Sequence, residues 1–231
     1  MVAALFLGFV VAMAAIVVGA IARWLNARSA FRVLAGLCVW LIYAGLLAYL
    51  GVIKNTAMRP PGMVFLFVPL LLFFVLFILF VRSPAGLRVA LAFPLWLLLG
   101  AESFRIGVEL FLHRLWIDGL VPKMLTFEGA NVDIYIGASA ALVAWLSTYG
   151  RWGMRLALGW NVLGLLALLN VVIRAVLTSP GPLHLIRTEV PNRMIGTFPF
   201  VLIPGFFVPL AVVLHLVALR AIGSRLRTAF S

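Results

Sequence analysis

The stretch Met63-Val-Phe-Leu-Phe-Val-Pro-Leu-Leu-Leu-Phe-Phe-Val-Leu-Phe-Ile-Leu-Phe-Val81 settles the class of fold. It runs for nineteen residues without a charge or a hydrogen-bonding side chain. A helix that crosses a hydrocarbon core about 30 Å thick needs about 20 such residues. A soluble domain of this size has too little interior to hide many of them. The rest of the 231-residue chain follows suit, with 65% hydrophobic residues, 10% charged ones and a mean hydropathy of +1.21. Average soluble domains carry about 25% charged residues. Soluble enzymes and disordered chains are thereby excluded, and the expected partner of the whole chain is the lipid bilayer.

Seven stretches qualify as spans: 2–22, 33–53, 63–81, 89–111, 132–149, 156–177 and 198–219. Connectors rich in charge, proline or glycine separate them. The expected fold class is therefore an all-α integral membrane protein, a single seven-transmembrane-helix bundle over residues 1–231. The first span lacks a preceding basic region and is long for a signal-peptide core, so it reads as a retained helix.

The formal net charge of +12 does not point to nucleic acid, because the basic residues sit singly or in small groups at the ends of apolar runs. Arg23, Arg28, Arg32, Arg82, Arg88, Arg151, Arg155, Arg220, Arg225 and Arg227 fall on one side. Lys54, Arg59, Arg114, Lys123, Arg187 and Arg193 fall on the other. Basic residues accumulate on the cytoplasmic side, which predicts an outside N-terminus and a cytoplasmic C-terminus. All six acids (Glu102, Glu109, Asp118, Glu128, Asp133 and Glu189) then lie in the outer half or beyond.

Weak echoes link the first three spans to the last three. Arg23-Trp24 matches Arg151-Trp152, Trp40 matches Trp160, and Phe65-Leu-Phe-Val-Pro69 matches Phe200-Val-Leu-Ile-Pro204. They suggest a three-plus-one-plus-three parallel repeat of the kind some carriers use. Pro69, Pro94, Pro204 and Pro209 fall inside spans and remove backbone donors. The last span, with Gly205 beside its prolines, is the best candidate for a broken helix.

Candidate functional residues are those that do not belong in lipid. In Leu99-Gly-Ala-Glu-Ser-Phe-Arg-Ile-Gly-Val-Glu-Leu-Phe-Leu-His113, the residues Glu102, Arg105, Glu109 and His113 are spaced 3, 4 and 4 apart. At about 100° per residue they form one stripe of a helix. Each buried charge costs about 2.5–3.5 kcal/mol on insertion scales, so the stripe must face the interior or a watery cavity, with partners. Asn170 and Arg174, one turn apart on the sixth span, reach comparable depths counted at about 1.5 Å per residue. The expectation is that Arg174 bridges Glu102 and Glu109.

The predicted substrate-binding set is Glu102, Arg105, Glu109, Asn170 and Arg174, serving an outward-facing pocket that binds or transports a small polar or anionic solute. A purely structural role for the charged cluster, in a sensor or assembly subunit, is the competing reading. A membrane-embedded enzyme built on His113, Glu109 and the loop acids is another.

Phe127-Glu-Gly-Ala-Asn-Val-Asp133 offers Glu128 and Asp133 as oxygen donors, so that His113, Glu128 and Asp133 form a candidate metal set. The favoured reading of Asn131 and Asp133 is a cap on the fifth span. No cofactor is expected. His215 reads as sitting near the inner end of the last span, away from His113 and His184, which leaves haem without facing ligands. The lysines, Lys54 and Lys123, both lie in connectors, so a retinal Schiff base has no buried amine. Cys38, the sole cysteine, leaves no internal disulfide.

Three stretches, Glu102-Ser-Phe-Arg-Ile-Gly-Val-Glu-Leu110, Phe127-Glu-Gly-Ala-Asn-Val-Asp133 and Pro199-Phe-Val-Leu-Ile-Pro-Gly-Phe-Phe-Val-Pro209, resemble a group of uncharacterised bacterial multi-span membrane proteins. The resemblance implies a bacterial inner-membrane location and carries no activity.

Overall fold

The computed structural model describes residues 1–181 and 183–228, and among these every regular element is a helix. In order they are α1 (Val2–Trp24), α2 (Ala27–Tyr49), α3 (Val64–Arg82), α4 (Pro84–Ala92), α5 (Leu95–Gly100), α6 (Phe104–Ile117), α7 (Asp133–Leu146), α8 (Gly150–Thr178) and α9 (Val208–Thr228). A 3-10 turn at Ala101–Ser103 joins α5 to α6, and a π-turn at Ile203–Phe207 leads into α9. Five helical stretches are long and apolar enough to cross a membrane: α1, α2, α3, α8 and Ile203–Arg227. A sixth is added if the bent pair α4 and Leu95–Ile117 is taken as one span.

Two expected spans differ from their sequence outline. The fourth is broken, with α4 lying at 85° to the rod formed by Leu95–Ile117. Pro94 supplies no amide hydrogen and forces the preceding residue out of helical geometry, and Phe93 is extended at φ −85°, ψ 138°. Ser83 starts α4 cleanly, its Oγ accepting the Gly86 amide at 3.1 Å with Pro84 in the first turn. The fifth stretch yields only the 14 residues of α7, about 21 Å of helix, short of the roughly 30 Å hydrocarbon core.

The prolines inside α3 and α9 each strand a carbonyl four residues earlier. Pro69 strands that of Phe65, and Tyr43 Oη donates to it at 2.8 Å. Pro209 strands that of Gly205, and Trp40 Nε1 donates to it at 2.6 Å. Trp40 and Tyr43 are three apart on α2, so one face of one helix repairs two breaks.

Two apolar clusters stack along the bundle. One gathers Phe6, Phe111, Phe200 and Phe207 toward the end that carries the loops 50–63 and 118–132 and the described residues 183–202. The other gathers Leu99, Ala157, Ala221 and Ile222 toward the end where Arg220 donates to the Arg82 carbonyl. At the loop end Glu189 accepts the Lys123 amide at 2.7 Å. Between the clusters lies a layer of buried polar side chains.

Candidate functional site

That polar layer starts from the stripe on the Leu95–Ile117 rod. Glu102, Arg105 and Glu109 are 1%, 2% and 1% exposed. The partners they find are not those expected. Arg105 Nε donates to Glu102 Oε2 at 2.9 Å, its Nη1 to Asp133 Oδ1 at 3.1 Å, and its Nη2 lies 3.1 Å from His215 Nε2. A guanidinium nitrogen can only donate, so His215 Nε2 is the acceptor. The proton of this ring then sits on Nδ1, which donates to Asn161 Oδ1 at 2.8 Å. Asn161 is held in place by its own Nδ2, which donates to the Ala157 carbonyl at 2.7 Å. His215 is thus locked as a neutral tautomer, with no exposed surface.

Backbone shape makes this convergence possible. A Cβ at Gly164 of α8 would collide with the His215 ring, so only glycine lets α8 and α9 meet there. A Cβ at Gly137 of α7 would crowd the backbone of Ile106 at 3.0 Å. That close approach brings Asp133, at the foot of α7, under Arg105.

A second arm of the layer is made by the loop before α7. Asn131 donates through Nδ2 to Glu109 Oε1 and to the Leu125 carbonyl, and its Oδ1 accepts the Asp133 amide at 3.0 Å. Asn131 thus accepts one helix amide, as expected of this loop, but from the position before the N-cap, Val132, which carries no side-chain cap of its own. Asp133 does not cap; it is a charge partner of Arg105. The Phe127 amide also faces the Glu109 carboxylate, yet Glu109 Oε2 has no hydrogen-bond partner, and neither does Glu102 Oε1. Glu102 Oε1 lies 3.5 Å from His215 Nε2.

A cavity of about 540 Å³ ends on this layer. Arg105, Glu109 and Asp133 form its floor, and Leu66, Phe104, Val108, Leu168 and Phe207 are among its apolar walls. Lys54, Thr56, Asn192 and Arg193 line it at the loop end. The volume is within the usual range of ligand pockets, roughly 300–1,000 Å³.

Several expectations need correction. Arg174 bridges neither Glu102 nor Glu109: its Nε donates to Asn170 Oδ1 at 2.6 Å, and Asn170 Nδ2 donates to the Ala130 carbonyl at 3.1 Å. This pair braces the loop before α7. Depth was the misleading quantity, because loop 118–132 folds back between α8 and the stripe and takes Glu109 for itself. Nor does His215 lie near a helix end. The final helix starts after the proline break and runs to Thr228, so His215 is near its middle.

The candidate metal set is also not assembled. His113 Nε2 lies 2.8 Å from Glu128 Oε1 near the surface, while Asp133 is engaged in the buried layer. Among the described residues no group of three or more His, Cys, Asp or Glu stands close enough to hold a metal. Of the five predicted binding residues, Arg105 and Glu109 reach the cavity. Sequence reasoning missed Asp133, Asn131, Asn161 and His215 as members of this layer. The one available signal was that each is a polar side chain within or abutting an apolar run.

Residues 60–222 match the family model described as Domain of unknown function (DUF8737). The chain belongs to this family. No curated protein and no solved structure matches it. The DUF8737 region takes in the whole buried layer and most of the cavity wall. The two helices that precede it, α1 and α2, include the Trp40 and Tyr43 donors. The DUF8737 floor is therefore built within the matched region, whereas the repair of its proline breaks comes from outside it.

Proposed function

We propose that the protein is a multi-span protein of a bacterial inner membrane that binds or transports a small polar solute in an outward-facing chamber. The observation that carries this reading is the cavity that runs from Lys54 and Arg193 down to Arg105, Glu109 and Asp133. Ionisable groups placed among apolar helices face interior cavities and mark solute or ion pathways. A purely structural cluster would have no use for 540 Å³ of space beside its charges.

In this reading seven segments cross or enter the bilayer, α7 being a short one sunk from the outer side and α4 lying along the inner surface. The N-terminus is outside and the C-terminus cytoplasmic. Support comes from the ten basic residues on the Arg82 and Arg220 side against six on the other. A three-plus-one-plus-three plan is retained with it, α1–α3 corresponding to α7–α9. Its support is that Trp40 and Trp160 each donate an indole hydrogen bond across the bundle, at 2.6 and 2.9 Å.

Cysteine labelling tests the chamber and the membrane together. Cys38→Ala removes the native thiol. In that background Ala175→Cys, on the cavity wall, is expected to react with a charged, membrane-impermeant thiol reagent added outside intact cells. Leu163→Cys is expected to stay unreactive, although Leu163 is 60% exposed in the isolated chain, because acyl chains cover it. A reactive Leu163→Cys defeats the membrane reading, and a silent Ala175→Cys defeats the outward-facing chamber.

A further inference from the structure

With its acids ionised, the floor of the chamber is short of positive charge. Glu102, Asp133 and Glu109 bring three carboxylates, and Arg105 is the one guanidinium among them. His215 adds no charge, since it accepts from Arg105 and donates to Asn161. From every element packed on the layer the count is the same: α7 brings Asp133, α8 brings Asn161 and α9 brings His215. The loop before α7 brings no charge to the layer: the Phe127 amide faces the Glu109 carboxylate, and both amide hydrogens of the neutral Asn131 are already used, by Glu109 and by the Leu125 carbonyl.

One carboxylate oxygen is left over on a residue that lines the cavity. Glu109 lines the cavity, is 1% exposed, and has no hydrogen-bond partner at Oε2. An unpaired acceptor in a dry site is costly and is satisfied by a donor, best by a charged one. Arg105 already donates once from each of its three guanidinium nitrogens, to Glu102, Asp133 and His215, and its single charge is shared by two carboxylates, so an anion on this floor would meet more negative charge than positive.

The walls narrow the class further. Phe104 and Phe207 stack with ring centroids 5.6 Å apart and both line the cavity. These rings and the aliphatic side chains of Leu66, Val108 and Leu168 beside them take an apolar body. A bare metal ion asks instead for about six oxygen ligands, which these walls do not offer. Lys54 and Arg193 at the mouth are exposed, so salt screens them over about 8–10 Å and they do not set the charge at the floor.

We propose that the chamber receives a protonated amine carried on a compact apolar body, the ammonium group donating to Glu109 Oε2 beside Asp133. This rests on the chamber proposed above and names the class of its solute.

The test compares three probes of one shape: cyclohexylammonium, cyclohexanol and cyclohexanecarboxylate, titrated calorimetrically into the purified full-length protein in nanodiscs. Cyclohexylammonium is expected to bind at least about tenfold more tightly than the alcohol, with the carboxylate weakest, and Glu109→Gln to remove about a tenfold preference for the amine while leaving the alcohol unchanged. Equal binding of amine and alcohol, a preference for the carboxylate, or an unaltered preference in Glu109→Gln overturns the proposal. Should Glu109→Gln fail to fold, protection of Ala175→Cys from labelling, in a chain that keeps Glu109, decides instead. Protection by the amine alone supports the proposal. Protection by the carboxylate, by all three probes equally, or by none rejects the amine while leaving the chamber in place, because Ala175→Cys still reacts. A cysteine that never reacts removes the chamber itself.

Discussion

Helices α3 and the final one, Ile203–Arg227, are both apolar, both proline-bearing and both long enough to cross a membrane, yet they sit in opposite environments. In α3 the most apolar window is 17% buried, in the final helix 56%. The more apolar of the two is the more exposed. In water that order would be reversed, because burial follows hydrophobicity. Here the helix with a histidine at its middle is wrapped by the others, and the helix with none shows Leu71, Leu72 and Leu79 outward. The difference teaches that polar satisfaction, rather than apolar area, decides which helix occupies the centre. In the bilayer proposed above, an apolar side chain would lose nothing by facing out, whereas His215 would have to find partners.

The largest break in this contrast is expected from Arg105→Met. It leaves Glu102 and Asp133 buried without their shared cation, a change that costs about 3–5 kcal/mol when one partner of a buried charge pair is removed. Thermal unfolding of the detergent-purified protein should show it as a collapse of the transition or of folded yield. Gly164→Ala comes next. Its methyl group would drive the His215 ring out of line with Arg105 and Asn161, at about 1–3 kcal/mol for an overpacked contact. An unchanged transition would mean that α8 and α9 do not meet at this point.

The matched pair Trp40→Phe and Tyr43→Phe sharpens the comparison directly. Each removes the donor to one proline-stranded carbonyl, Gly205 in the first turn of the final helix and Phe65 in α3. A lost hydrogen bond to a buried carbonyl costs about 1–3 kcal/mol, one that water can replace far less. Trp40→Phe should therefore lower the unfolding midpoint more than Tyr43→Phe, and equal effects would show that Phe65 is as dry as Gly205. The smallest effect belongs to Leu72→Ala on the outward side of α3, within about 0.5 kcal/mol. A clearly larger loss would count against the proposed lipid cover of this face.

Particular residues show how far the sequence could be read. Glu102, Arg105 and Glu109 were legible as one buried stripe because helical period alone puts them on one face. Their partners were not. Arg174 looked the better cation for Glu109 because only depth along a helix could be counted, and depth says nothing about which way a neighbour turns. Asp133 looked like a cap because capping is local, whereas its engagement with Arg105 spans 28 positions of chain. His215 was misplaced by about half a helix because the last apolar run ends near Leu219 while its helix continues to Thr228. The break at Pro94 was visible as a proline, but not as an 85° turn.

By itself, then, the sequence determined an all-helical chain with several helices of membrane-crossing length, the stripe of charges, and the carbonyls its prolines would strand. Each of these follows from local covalent geometry or from the cost of leaving water. Only the tertiary structure decided that one guanidinium is shared among Glu102, Asp133 and His215, that Asn131 serves Glu109, and that a cavity ends on this floor. Those facts depend on how closely α6, α7, α8 and α9 approach, and that distance is set by the absence of a side chain at Gly137 and Gly164 as much as by any residue that carries charge.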